Sequence, residues 1–203
     1  LASARKAGVP ALAELLAKHP KDARILIATA KLEIADKKHA DAVATLGKAL
    51  VIDPSINESP ELASALWTTA QAKDSTAATF ALLEGPMGAR GADMIHDLAT
   101  DKRVRREVRE RADIWLGSGQ FQRQSDPKLN VLVALERATT CKQRYALLAR
   151  AKSQGDERAL ALLQSYQKQS GCGKKGTDDC NPCMRSDDRL AEATAAIRER
   201  TKK

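Results

Sequence analysis

The feature that most limits what this chain can become is alanine, which supplies 36 of 203 residues against 11 glycines, 7 prolines and two each of Phe, Trp and Tyr. Alanine has the best intrinsic helix propensity, and a sheet protein would need more β-branched and aromatic residues. An all-α fold follows. The length allows one or two domains with a real core. Charged residues make up 30% of the chain and no apolar run reaches the length of a membrane span. No charged-then-apolar leader opens the sequence. It begins inside a helical pattern, as a piece of a longer protein would.

Periodicity and punctuation divide the first third into helices. Leu12, Leu15 and Leu16 share one helical face, and His19-Pro20 ends that helix because proline disfavours α geometry in the residue before it. Asp22 offers an N-cap for a helix to about Ala35, with Ile25, Leu26, Ala28, Ala30, Leu32 and Ile34 on its apolar side. The next helix spans about His39 to Val51, and Asp53-Pro54 closes it. Leu26, Ala30, Ala42, Leu46, Ala49-Leu50 and Asp53-Pro54 together resemble a tetratricopeptide repeat over residues 23–56, a helix–turn–helix unit of about 34 residues. Thr29 and Glu33 depart from that pattern, standing where Leu and an aromatic are usual.

The middle third stays helical without that period. Ser59-Pro60 is a start signal, with serine as N-cap and proline in the first turn. Helices are expected from there through Ala70, from about Asp74 to Leu83, from Ala89 to Leu98 and from Arg103 to Leu116. Val108-Arg109, Ala112 and Trp115-Leu116-Gly117 resemble the second half of a HEAT repeat. Trp67 and Trp115 read as buried anchors in an aromatic-poor stack. Gly117 to Ser125 mixes glycine and polar residues without periodicity, which places a boundary between a repeat region, 1–119, and a C-terminal module, 120–203. The resemblances imply stacked helical hairpins in a right-handed, curved solenoid with a C-terminal cysteine-containing loop.

In the module, helices are expected from Asp126-Pro127 to about Ala138, from Cys141 to Lys152, from Asp156 to Tyr166 and from Asp188 onward. Its cysteines, Cys141, Cys172, Cys180 and Cys183, are the strongest site signal. If 141–153 and 156–169 form an antiparallel hairpin, Cys141 faces Cys172. Two disulfides are then favoured, as Cys141–Cys172 with Cys180–Cys183, or next as Cys141–Cys180 with Cys172–Cys183; sequence alone allows three pairings. A four-thiolate zinc site is the second chemistry, although it more typically uses two close-spaced pairs. A redox-active Cys180-Asn181-Pro182-Cys183 is the third. No other metal site and no cofactor is expected.

Gly171-Cys172-Gly173, then Asp179-Cys180, Pro182-Cys183 and Arg185, followed by Leu190 and Ala196-Ile197, resemble a C-terminal element of large bacterial serine/threonine protein kinases. The likeness covers roughly residues 126–200. It implies a sensor or interaction region outside the cytoplasm, periplasmic or at the cell surface. It brings no catalysis, because no Gly-rich loop, His-Arg-Asp or Asp-Phe-Gly occurs here. The expected activity is non-catalytic, with a protein or peptide partner on the concave face.

The net charge of +8 divides as +2 over residues 1–60, −1 over 61–120 and +7 over 121–203. The alternative reading is therefore a basic HEAT-type nucleic-acid binder. Against it, Glu107, Glu110 and Asp113 interrupt the basic run 102–111, as in ordinary i,i+4 pairing. His19, His39 and His96 are dispersed and share no ligand spacing. Asp178-Asp179 and Asp187-Asp188 read as caps or partners of Lys174, Lys175 or Arg185. Asn57-Glu58-Ser59 matches a glycosylation acceptor.

Overall fold

The computed structural model describes residues 1–202, the side chain of Arg5 excepted. Fourteen α-helices and two 3₁₀ turns account for the regular structure of the described residues, with no strand beyond one isolated β-bridge. No described helix is long and apolar enough to cross a membrane. The chain forms two compact units, Leu1–Ser125 and the remainder from Asp126.

The first unit runs through α1 (Ala2–Ala7), α2 (Val9–Lys18), α3 (Ala23–Ala35), α4 (His39–Ile52), α5 (Pro60–Gln71), α6 (Thr76–Leu83), α7 (Gly88–Thr100), α8 (Arg106–Leu116) and α9 (Gly119–Gln124). The punctuation acts as expected. His19 caps the C-terminus of α2, while Asp22 accepts a bond from the Arg24 amide at the start of α3. Ser59 likewise caps α5 through the Leu62 amide. Neighbouring helices pack in sequence, most extensively α3 on α4 and α7 on α8. Ala28, Ala30, Ala42 and Ala49 are all buried with Leu46 and Leu50. Small side chains let α3 and α4 lie close, and the leucines fill the space between them. Gly91 does the same for α7, since a Cβ there would collide with the Leu83 carbonyl and the Met87 side chain.

Two expectations need correction here. Trp67 is only half-buried, whereas Trp115 is buried and meets Phe121 edge-on at 5.6 Å. The division of the chain falls after Ser125, later than the boundary read at 119/120. Residues Gly119–Gln124 are themselves helical, capped by Ser118, and Gln124 donates to the carbonyls of Leu83 and Gly88. Glycine and polar content suggested a linker, but one buried phenylalanine and a side-chain amide attach the segment to the first unit.

The second unit contains α10 (Pro127–Arg137), α11 (Cys141–Ala146), α12 (Leu148–Gln154), α13 (Glu157–Tyr166) and α14 (Arg189–Thr201). Asp126 and Asp156 cap α10 and α13 through the Leu129 and Ala159 amides. The single helix expected from Cys141 to Lys152 is broken at Leu147, which ends α11 and precedes α12. Helix α12 packs mainly on α14, and α13 packs on α14 and α10. Val131, Leu135, Leu148, Leu163, Tyr166, Met184, Leu190 and Ile197 are among the buried residues of this core.

Candidate functional site

The cysteine module is built outward from a helix start. Thr140 accepts from the Gln143 amide while the Gln143 side chain accepts from the Thr140 amide, a reciprocal capping box. It places Cys141 at the first residue of α11. At the far end of α13, the buried Tyr166 hydroxyl donates to the Leu135 carbonyl at 3.1 Å and ties α13 to α10. Burial also raises the Tyr166 phenol above its ordinary value.

The chain then leaves helical structure until α14. Cys172 and Asp178 exchange two backbone hydrogen bonds, each 3.0 Å, as an isolated antiparallel bridge. The turn between them needs positive φ, supplied by Gly173 at 73° and Gly176 at 66°. It exposes Lys174 and Lys175. Past Cys180, the Asn181 amide donates to Asp179, and a 3₁₀ turn over Pro182–Arg185 buries Met184 in the core.

The cysteines lie in two pairs at disulfide distance, Cys141 with Cys183 and Cys172 with Cys180. Their Cα atoms are 6.0 and 5.2 Å apart. This is the third possible pairing, and it corrects both pairings favoured from sequence. The reason is that α12 packs mainly on α14. Helices α12 and α13 do not form the long hairpin that would bring Cys141 to Cys172. Instead the start of α11 meets the 3₁₀ turn, where the Cys183 amide donates to the Cys141 sulfur at 3.2 Å. The C-x-x-C cysteines consequently take different partners. No described cysteine is free, and no described group of three or more His, Cys, Asp or Glu residues converges on a metal position.

Side-chain contacts, one of them the pairing of Asp179 with Arg185 expected from sequence, hold this loop on the helices. Arg144 donates to the Ala138 carbonyl at 3.0 Å and to the side-chain oxygen of the buried Asn181 at 2.8 Å, and lies over the Tyr166 ring. Arg185 pairs with Asp179 and donates to the Lys168 carbonyl. Tyr145 donates to Asp187, and this bond, with the Arg189 amide, holds the Asp187 carboxyl below its ordinary range. Arg144 and Asn181, a lone Arg in a helical stretch and a lone Asn in a polar one, carry no spacing signal, so only the folded loop identifies their contact.

The remaining candidates take structural positions. His19 ends α2, His39 begins α4, and His96 is buried beside Asp97 at 3.6 Å. In the basic run, Arg106 pairs with Glu110 in i,i+4 fashion and Arg103 with Asp101, whose carboxyl Arg103 lowers to about 2. Asn57 lies half-buried in the 3₁₀ turn Pro54–Glu58. Compared with known protein families, with characterised proteins and with solved structures, the chain matches none.

Proposed function

We propose that this chain is a non-catalytic binding module that engages a protein or peptide. In this reading it is part of the extracytoplasmic region of a bacterial signalling protein, of the kind whose C-terminal element residues 126–200 resemble. The helical pairs of the first unit then repeat as a solenoid whose concave face takes the partner. The observation that carries the reading is the helix pairing itself. Alanines and leucines buried where α3 meets α4 make the closely packed helix pair from which such arrays are built. Two cysteine pairs at disulfide distance fit an oxidising compartment, where such bonds persist.

Selection of a random peptide display library on the intact, unreduced protein tests the binding reading. An enriched consensus supports it, and no enrichment over an unrelated helical protein overturns it. Thiol titration after denaturation without reductant tests the compartment. No reactive thiol is expected, and four would overturn the oxidised assignment.

A further inference from the structure

Two adjoining grooves open on the first unit around the ends of α2 and α4. One has a volume of 570 Å³ and is lined by Leu16, Pro20, Leu26, Gly47, Lys48, Val51 and Ile52. Its floor is aliphatic, and Val51 stands on the rim 82% exposed with Ile52 39% exposed beside it. Consecutive aliphatic residues left in water at the end of a helix gain nothing for the fold. When apolar area is contiguous and rimmed by polar groups, it marks an interaction surface. The size also falls within the range of about 300–1,000 Å³ typical of ligand clefts.

The second groove has a volume of 710 Å³ and shares Pro20 with the first. Lys18, His19, Lys21, Asp22, Arg24 and Asp53 give it its polar character. Its acids are already engaged: Asp22 caps α3 and pairs with Arg24, and Asp53 accepts from the amide and hydroxyl of Ser55. Lys18, Lys21 and the first groove's Lys48 are exposed, and none makes an ion pair with a carboxylate of the described residues. The joined surface is thus aliphatic at one end and carries unpaired ammonium groups at the other.

We propose that this surface receives a short segment of a partner protein in which aliphatic side chains are followed by Asp or Glu. The aliphatic side chains fill the cleft over Leu26 between Leu16 and Val51. The carboxylates meet Lys18 and Lys21. Charge complementarity selects this occupant: a second copy of the same basic face would bring lysine against lysine, and a basic segment would be repelled. The proposal rests on the binding-module reading and names the chemistry of its partner.

The test uses two labelled peptides and the intact protein. One peptide has three leucines followed by three glutamates; the other carries three lysines in place of the glutamates. Fluorescence anisotropy should show saturable binding of the acidic peptide, weakened by rising salt, and at least tenfold weaker binding of the basic one. The double variant Lys18→Glu, Lys21→Glu should weaken the acidic peptide at least tenfold, and Val51→Asp should do the same. All three positions are exposed, and unchanged circular dichroism will show that the fold is kept. Equal binding of both peptides, no binding of either, or binding that survives both variants overturns the proposal. A monomer–dimer equilibrium abolished by Val51→Asp would assign the face to a second copy and also overturn it. A library consensus that persists in both variants would leave the binding-module reading standing while this groove falls.

Discussion

The two units of this protein are held together by different means. In the first, helices of up to fourteen residues bury alanines and leucines against one another, and no cross-link is present. In the second, the helices flank a loop that runs from the end of α13 at Tyr166 to the start of α14 at Arg189. That loop contributes Met184 and half-buried Cys183 to the core, with cysteine pairs and arginine hydrogen bonds around them. A repeating helix can bury one face of every turn. A loop without periodicity cannot offset its conformational entropy through burial alone. Covalent closure reduces that cost by restricting the unfolded chain.

The largest expected effect separates the units. Replacing Cys141 and Cys183 together by serine removes closure of a 42-residue separation, worth about 4 kcal/mol on the loop-entropy relation. Hydrogen exchange should then show lost protection in α13 and α14 with α3 and α4 unchanged. Equal loss in both would break the comparison. The Cys172 and Cys180 pair closes only an 8-residue separation, so its removal should cost less, about 2.5 kcal/mol.

Next comes a change in the first unit. Leu46→Ala removes a fully buried side chain from between α3 and α4 and should destabilise that unit by about 3 kcal/mol in denaturant unfolding. Unfolding of the second unit, followed by exchange at α14, should not shift.

A smaller effect should come from Asn181→Ala. It leaves one Arg144 donor without its partner in a half-buried site, at a cost of about 2 kcal/mol. The expected signature is faster exchange in the 3₁₀ turn at Pro182–Arg185, measurable with both cysteine pairs intact.

The smallest effect concerns pH. Asp101 in the first unit is lowered from 3.8 to about 2 by the Arg103 side chain and amide. Its folded carboxyl binds a proton less tightly than the unfolded one. The associated stability is present above 3.8 and is lost as pH falls toward about 2. Asp187 is also lowered, by Tyr145 and the Arg189 amide, so the second unit should weaken in acid in the same sense. Asp101→Asn should flatten the acid limb of the first unit alone, read by thermal melts across that window.

Much of the fold was legible because local chemistry decides it. The starts of α3, α5 and α10 coincide with Asp22, Ser59-Pro60 and Asp126-Pro127, where a side-chain oxygen satisfies an amide that the helix leaves open. Ile25, Leu26, Ala28 and Ala30 of α3 and Ala42, Leu46, Ala49 and Leu50 of α4 are buried, as their spacing requires. What escaped was decided at a distance. The end of α11 at Leu147 carries no glycine or proline to announce it. The helix at Gly119–Gln124 depends on Phe121 finding Trp115.

The sequence by itself determined an all-helical chain, its main caps and breaks, and the clustering of all four cysteines in one module. Only the tertiary structure decided which cysteine meets which. Pairing depends on which elements pack together, and the packing of α11 on the 3₁₀ turn at Pro182–Arg185 brings residue 141 to residue 183, not to 172. Tertiary structure likewise brought Leu16, Pro20, Leu26 and Val51 to one groove, since residues from three helices share a surface only after those helices have packed.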